Sequence, residues 1–313
     1  MLEITRNTAR LLTLLAALMW GTSFVAIRWG LQYIPSMVFV FLRFSVATLM
    51  FIPIILLLEK NESKLKDALK DRTLVFLSLF NALGFVFQFA GQELTIATNA
   101  ALLVNTNAIM VAILSYIFLR EKLRRIGILG VFLASFGTVL LLTQGNIGYL
   151  FTKYFIGDLL CLLSGLSWAF YIVLSKKAVI SEKYHPMLIV FVWILYTSLF
   201  TFPLALFQII ISGFIITKEG AMAILYTASF CTTFAFIFWY VGLQRLEATT
   251  SSVYFLIEIL ITAILETIIF GETLYTFFRI MGGLLIIVGI VLTDIGSHAL
   301  SIESSRKTAC PEK

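Results

Sequence analysis

Long apolar segments follow one another along almost the whole chain, separated by short polar stretches. A helix needs about 20 predominantly apolar residues to cross the hydrocarbon core of a bilayer. Ten such segments occupy residues 11–27, 37–58, 74–90, 100–119, 126–142, 155–174, 187–211, 221–242, 252–270 and 277–292. Because lipid offers no partner to unpaired backbone groups, unbroken runs of this kind must be helices. The pattern therefore predicts an all-α membrane protein with ten transmembrane helices.

The composition agrees with this reading. Of the 313 residues 60% are hydrophobic and 13% are charged, with a mean hydropathy of +1.00, which excludes an ordinary soluble domain. Arg6 and Arg10 precede the first segment as they would in a signal peptide, but the apolar run continues to Ile27 and is too long for a cleaved one. The three cysteines and two histidines show no metal-ligand spacing, so neither a metal nor a cofactor is expected.

The second half of the chain repeats landmarks of the first half. The pairs are Trp20 and Trp168, Gly91 and Gly242, Ala97 and Ala248, Thr98 and Thr249, Glu121 and Glu272, Gly130 and Gly282, and Gly137 and Gly289. Their spacings stay between 148 and 152 residues, and their order never breaks. A repeat of half the chain is typical of secondary transporters. We predict one five-helix repeat in residues 1–145 and a second, with a short disordered cytoplasmic tail from Ser297, in residues 146–313.

The basic residues predict the orientation. With ten crossings, eighteen of the 23 Lys and Arg residues fall on the side of the N-terminus and five on the other side. This positive-inside bias predicts that both termini are cytoplasmic, in a bacterial inner membrane. It also explains the net charge of +6 without nucleic-acid binding. Since five is odd, the two repeats must be inverted relative to each other.

Two polar residues lie at matching places within the apolar segments. Glu258 stands in the middle of the ninth segment, and Asn107 is its counterpart in the fourth. An intramembrane carboxyl group is a candidate proton carrier or amine-binding group. The alternative is a hydrogen bond between helices. We predict that Glu258 serves proton coupling or amine recognition and that Asn107 supplies a polar contact.

Aromatic residues complete the predicted binding site. Trp20 and Trp168 stand at equivalent depths, far from either end of their segments, and could form aromatic walls or a cation–π surface, with plain packing as the alternative. Tyr254 and the amide of Gln88 are further candidates for the site. Arg43 and Glu266 are predicted to form an ion pair or an outer gate. The paired glycines of the fifth and tenth segments predict close helix packing, within or between chains.

Several motifs resemble the EamA branch of the drug/metabolite transporter superfamily. They are Leu18-Met-Trp-Gly-Thr-Ser-Phe-Val-Ala, Phe41-Leu-Arg-Phe, Phe118-Leu-Arg-Glu-Lys-Leu, Ile257-Glu and Phe270-Gly-Glu-Thr-Leu. The resemblance implies a ten-helix transporter, often an exporter of amino acids or related metabolites, with a central cavity lined by both halves. Members often have Pro after the ninth-helix Glu, which breaks the helix, and a small residue where Glu266 stands. This chain has Ile259 after Glu258.

No enzymatic signature such as HExxH, GxSxG or a Walker sequence is present, so the chain is not expected to be an enzyme. We predict a secondary transporter that works by alternating access and exports amino acids, amines or similar small metabolites, with possible coupling to protons. Its partners are then the small-molecule substrate and membrane lipid. The alternatives are an importer of a larger, nucleotide-like metabolite and a channel or lipid-translocating protein. Whether the chain is a monomer or a homodimer is left open by the sequence.

Overall fold

The computed structural model describes residues 4–58, 62–94, 103–143, 145–146, 155–270 and 277–309. Nearly all of these residues are helical, and they include no strand. In chain order the helices are α1 (Arg6–Gly30), α2 (Ser36–Leu58), α3 (Glu62–Lys70), α4 (Arg72–Leu94), α5 (Asn107–Leu119), α6 (Arg125–Thr143), α7 (Phe155–Ile180), α8 (Pro186–Ser212), α9 (Lys218–Ala228), α10 (Ala235–Leu243), α11 (Ala248–Phe255), α12 (Ile257–Phe270) and α13 (Phe277–Ala309). A π-helical segment, Ser229–Phe234, joins α9 to α10.

Within the described ranges, seven helices are long and apolar enough to cross a membrane. They are α1, α2, α4, α7, α8, the continuous unit Lys218–Leu243 and the part of α13 at Ile280–Ser297. Shorter apolar helices cover Leu103–Leu119, Arg125–Leu141 and Ala248–Thr262, where the sequence predicts the fourth, fifth and ninth spans. The helical membrane fold is therefore confirmed. The arrangement as two inverted five-helix repeats stays a prediction.

Outside the apolar helices, the polar stretch between the second and third spans forms α3. Its acidic and basic residues alternate at helical spacing. The prediction for the C-terminal tail is wrong in one respect. The backbone of α13 stays helical to Ala309, twelve residues beyond the predicted start of a disordered tail at Ser297. A helix that is already nucleated extends at little cost into residues with good helix propensity, and the tail contains no Gly or Pro before Pro311.

A turn interrupts the apolar helix ahead of α5. Residues 103–105 are helical, Thr106 forms the turn, and α5 begins at Asn107. At this turn Thr106 N donates to Leu103 O over 3.3 Å, the i→i+3 pattern of a 3₁₀ turn.

The same interruption occurs between α11 and α12. Leu256 forms the turn, with its N–H donating to Val253 O over 3.1 Å, and α12 begins at Ile257. The family resemblance associates a break here with a proline after Glu258. This chain breaks the helix two residues before Glu258 without that proline. Both predicted polar site residues thus stand directly after a helix break.

The helices pack in reciprocal pairs. α1 packs against α10 and α12, whereas α7 packs against α4 and α5. Two more contacts also join the halves: α2 packs against α8, and α6 packs against α13. Ser45 Oγ and Ser198 Oγ meet at 2.8 Å across the α2–α8 contact, and each of these two helices carries an internal proline, Pro53 or Pro203.

The α6–α13 contact depends on the paired glycines. A Cβ on Gly137 would lie 2.6 Å from Gly282 O, and a Cβ on Gly130 would lie 2.5 Å from Thr293 N. Backbone atoms of one helix therefore occupy the space that a side chain on the other would need. The predicted glycine stripe packs within the chain.

Candidate functional site

A cavity of about 90 Å³ lies among the helices, enough for several water molecules. Sixteen residues line it. Eight are aromatic: Trp20, Phe24, Phe85, Trp168, Tyr171, Phe236, Trp239 and Phe255. The polar ones are Ser23, Arg43, Gln88, Asn107 and Glu258. An apolar, largely aromatic pocket with a few convergent polar groups is typical of a small-molecule site.

Most of the predicted site residues meet at this cavity. Glu258, Asn107, Trp20, Trp168 and Gln88 all line it. They come from α12, α5, α1, α7 and α4, so both halves of the chain contribute to the wall.

Tyr254 does not line the cavity, contrary to the prediction. It packs instead in an apolar cluster with Ile257 and Leu260, against the α6–α13 side of the bundle. On a continuous helix, residues four apart would share a face, so Tyr254 would accompany Glu258. The helix is instead interrupted at Leu256, between these two residues.

Both predicted tryptophans sit in edge-to-face aromatic contacts at the wall. Trp20 meets Phe255 at 4.7 Å and Phe236 at 4.9 Å between ring centroids. Trp168 meets Phe85 at 4.8 Å and covers Gly84, where a Cβ would lie 3.2 Å from the indole ring. The two indoles are thus held in fixed orientations while one side of each faces the cavity.

Glu258 and Asn107 differ from most buried polar groups because they lack partners. None of the described residues donates a hydrogen bond or forms an ion pair with the Glu258 carboxylate, which lies half-buried in the first turn of α12. Asn107 is 8% exposed, and its Oδ1 is buried without a hydrogen bond from the described part of the chain. Buried polar atoms are almost always paired in folded proteins, so these two oxygens are available to a ligand.

Arg43 lines the cavity but is bound to the protein. Its Nε donates to Thr232 Oγ1 over 2.7 Å, its Nη2 to the Cys231 carbonyl over 3.2 Å, and its Nη1 lies 3.5 Å from Ser23 Oγ. Among the side chains that the structure describes, no carboxylate lies within 4 Å of the guanidinium. The side chain of Glu266, its predicted partner, is outside the described residues, so that ion pair stays a prediction.

The π-helical segment explains how Arg43 is satisfied. The Cys231 carbonyl, in the middle of that segment, accepts from both Arg43 Nη2 and Trp20 Nε1. The side-chain hydroxyls of Thr232 and Thr233 donate to the carbonyls of Thr227 and Ala228, five residues earlier. Segments of this kind often occur at functional sites. No pattern in the apolar sequence indicates it.

A second polar assembly, the terminal ion cluster, lies at the end of the bundle where α1 begins. It consists of Arg6, Arg10, Glu247, Asp294 and Ser297. Arg6 binds the Glu247 carboxylate with two hydrogen bonds of 2.9 and 3.2 Å, and Arg10 pairs with Asp294 at 2.6 Å. The cluster ties the start of α1 to the α10–α11 connection and to α13. The sequence does not predict this cluster, because residues 241 positions apart give no local signal.

Two more side chains close the same end of the bundle. The Glu121 carboxylate accepts from the N–H groups of Ala248 and Thr249 at 2.9 and 3.4 Å, and so caps α11. Lys176 Nζ donates to the carbonyls of Leu243 and Leu246, both at 2.7 Å. Glu121 belongs to the first half of the chain and Lys176 to the second half. Both side chains satisfy backbone groups at the α10–α11 connection.

Two carboxylates of this end, Glu247 and Glu121, have opposite shifts in pKa. Burial alone would raise the pKa of Glu247, but the hydrogen bonds and charge of Arg6 outweigh it and hold the pKa below its ordinary value. Burial raises the pKa of Glu121, and the backbone hydrogen bonds from Ala248 and Thr249 offset this only in part. The Arg6–Glu247 pair is therefore ionised at neutral pH.

Comparisons with known proteins identify the class of this chain. The model of the EamA-like transporter family matches twice, over residues 7–143 and 155–294. An uncharacterized transporter of Archaeoglobus fulgidus is 30% identical over 292 residues, covering 93% of this chain and 99% of that protein. The uncharacterized transporter YyaM of Bacillus subtilis is also 30% identical, over 81% of this chain and 82% of its own length.

A solved structure supports the fold. A chain described as "Crystal structure of protein" superposes with a TM-score of 0.77 over 95% of this chain and 99% of its own length. At 20% identity this likeness concerns the fold alone. Since the relatives are named as transporters, the comparisons point away from an enzyme. With both halves matched by the same model, the chain belongs to the EamA-like transporter family.

Proposed function

We propose that this chain is a secondary transporter that exports amino acids, amines or similarly small metabolites by alternating access. The substrate binds in the aromatic cavity, where Glu258 carries the coupling or recognition charge, Asn107 and Gln88 offer polar contacts, and Trp20 and Trp168 form the walls. The double family match carries the proposal, because two copies of one domain with a cavity between them suit a carrier that opens to either side.

The packing of the helices supports an inverted relation between the two halves. The first long helix of each half contacts the third and fourth spans of the other: α1 meets α10 and α12, and α7 meets α4 and α5. Two further contacts pair like with like, α2 with α8 and α6 with α13. This reciprocity is what a two-fold axis between the halves produces. With five spans in each half, that axis lies in the membrane plane.

The terminal ion cluster supports a closed cytoplasmic side in this conformation. The positive-inside distribution predicts that the N-terminus, and with it Arg6 and Arg10, lies on the cytoplasmic side of a bacterial inner membrane. The pairs Arg6–Glu247 and Arg10–Asp294 then join both halves below the cavity. Opening to the cytoplasm requires these pairs to separate, and closing on the other side completes the cycle.

The test is transport by the purified chain in proteoliposomes, with a panel of radiolabelled amino acids, amines and nucleotides and with imposed pH gradients. We expect saturable uptake and counterflow of a small substrate. Glu258→Gln, which keeps the shape of the side chain but removes its charge, should reduce counterflow about tenfold or more. The exposed Glu93, changed to Gln, is the matched control and should transport normally.

Other outcomes would contradict the proposal in identifiable ways. A Glu258→Gln variant with wild-type, fully pH-dependent transport would remove the assigned role of that carboxylate. Preference for nucleotides would favour an importer or exporter of larger anions. A non-saturating flux without counterflow would indicate a channel or a lipid-translocating protein.

A further inference from the structure

The two ionisable side chains that face the cavity, Arg43 and Glu258, differ in how the described residues bind them. Each of the three guanidinium nitrogens of Arg43 already has an acceptor in the protein: Thr232 Oγ1, Ser23 Oγ or the Cys231 carbonyl. Arg43 is also 2% exposed and lies 5.4 Å from the ring centroid of Phe85. Its positive charge is therefore used to hold α1, α2 and the π-helical segment together.

Glu258 is in the opposite situation. Its carboxylate faces the cavity, and none of the described residues donates to it or pairs with it. The first turn of α12 stabilises a negative charge there, because the positive end of the helix dipole lies at its N-terminus. Among the described lining residues, Glu258 is the ionisable group that has no partner in the protein.

Asn107 adds a second unsatisfied acceptor. Its side chain is more than nine-tenths buried, lines the same cavity, and leaves Oδ1 without a donor among the described residues. A buried carbonyl oxygen without a hydrogen bond has lost its hydration without compensation, and a ligand N–H would supply the missing donor. A carboxylate on the ligand would instead add a third acceptor beside these two.

The rest of the wall selects the body of the ligand. Half of the sixteen lining residues are aromatic, and the rings of Trp20, Trp168 and Phe85 are fixed by edge-to-face contacts. Aromatic faces attract cations and also pack well against flat apolar groups. An uncompensated carboxylate, an unpaired carbonyl oxygen and an aromatic wall together form a receptor for an amine.

We infer that the cavity binds an organic monoamine: a primary ammonium group that donates to Glu258 and Asn107, carried on an aromatic or similarly apolar body. This inference rests on the proposal that the cavity is the substrate site, and it narrows the substrate class. Amines are preferred over amino acids, because an α-carboxylate would lie beside the carboxyl group of Glu258, and Arg43, the cation among the described lining residues, is already bonded to the protein.

The experiment compares five probes that share one aromatic body. They are phenethylamine, its quaternary trimethylammonium analogue, L-phenylalanine, 3-phenylpropionate and 2-phenylethanol. Binding to the purified full-length chain in nanodiscs is measured by isothermal titration calorimetry. We expect phenethylamine to bind about tenfold more tightly than each of the others, since one charge-assisted hydrogen bond supplies roughly that factor. The quaternary analogue keeps the charge but lacks the N–H donors that Asn107 Oδ1 needs.

Two variants of unchanged size locate the effect. Glu258→Gln should weaken phenethylamine about tenfold while leaving 2-phenylethanol unchanged, because only the ammonium loses its counter-charge. Asn107→Asp should strengthen phenethylamine relative to L-phenylalanine, because it adds a second negative charge beside the ammonium. A variant that fails to fold would also lose 2-phenylethanol binding, so this neutral probe reports on the integrity of the cavity.

Equal or tighter binding of L-phenylalanine or 3-phenylpropionate would overturn the inference, and so would failure of all five probes to bind at millimolar concentration. These results leave the proposed function standing if proteoliposomes still show saturable counterflow of another substrate. If no member of the panel shows counterflow while phenethylamine still binds through Glu258, the transport proposal is contradicted and the amine site is supported.

Discussion

Replacing Gly282 with Ala should destabilise the protein much more than the same replacement at its neighbour, Gly283. A Cβ at position 282 would lie 2.6 Å from both Gly137 O and Leu141 N, which are backbone atoms of α6. Neither helix can make room without moving as a whole. Overpacking of this kind costs about 1–3 kcal/mol or more. Thermal unfolding of the purified variants in detergent, together with the monodisperse fraction on size exclusion, measures the effect.

Gly283 is the control within the same helical turn. Its added Cβ would meet only Leu260 Cδ2, at 3.1 Å, and the end of a leucine side chain can move. Since both variants gain the same helix propensity from Ala, the difference between them isolates the contact with α6. Equal stability of the two variants would mean that the α6–α13 seam tolerates separation, and that the glycine pairs do not set the distance between the helices.

The helices could be predicted from the sequence because the bilayer imposes a length on each apolar segment. Apart from the turns at Thr106 and Leu256, all ten segments lie on helices wherever the structure describes them, including the three that are shorter than a full span. The breaks before Asn107 and Glu258 could not be predicted from the sequence. They arise from a single i→i+3 turn in each helix, and neither turn contains Gly or Pro to mark it.

The polar members of the cavity could be predicted because an ionisable or amide group is costly in lipid and therefore conspicuous in an apolar segment. Glu258, Asn107 and Gln88 were found in this way. Phe236, Trp239 and Phe255 were missed, although they line the same wall. In a soluble helix the apolar face marks the core. In a membrane both the lipid and the interior are apolar, so hydrophobic periodicity does not separate the two faces.

Arg43 shows a different limit of sequence reasoning. A charged residue in a membrane segment suggests a partner of opposite charge, and Glu266 was the available choice. Among the described residues, the guanidinium is bonded to Thr232, to Ser23 and to the Cys231 carbonyl of a π-helical segment, while the predicted pair with Glu266 lies outside them. Backbone acceptors carry no signature in the sequence, because every residue has one.

Replacing Arg6 with Glu should open the end of the bundle that the terminal ion cluster closes. The new carboxylate would face Glu247 and Asp294, which lie 2.9 and 3.5 Å from the guanidinium that it replaces. These side chains are between 11% and 22% exposed, so water screens them little. Loss of the charged hydrogen bonds costs about 2 kcal/mol, which corresponds to a shift of more than tenfold in the population of the closed form, at roughly 1.4 kcal/mol per factor of ten.

The shift is measured with a thiol at the cavity wall. Ser23 lines the cavity and is 4% exposed, so Ser23→Cys in a background without the three native cysteines places a small reporter there. Membrane vesicles of each orientation are treated with an impermeant maleimide. We expect labelling from the side of the N-terminus to rise about tenfold with Arg6→Glu. Arg245→Glu changes an exposed residue two positions before Glu247 and should leave labelling unchanged.

A second change, Glu247→Arg, added to Arg6→Glu, restores one pair of opposite charges. It should recover only part of the closure, because Asp294 still repels the Glu at position 6.

The pKa of Glu247 predicts how the same cluster responds to acid. Its pKa in the folded chain lies below the ordinary value of 4.5. The stability that it contributes is therefore complete above that value and is lost as the pH falls through the lower folded pKa. Maleimide reacts with the thiolate, so labelling is normalised at each pH to that of a fully exposed reference cysteine. The normalised labelling from the N-terminal side should rise in the parent as the pH falls below the ordinary value of 4.5, and this rise should be smaller in Glu247→Gln. If Arg6→Glu labels like the parent at every pH, the cluster does not close that side of the cavity.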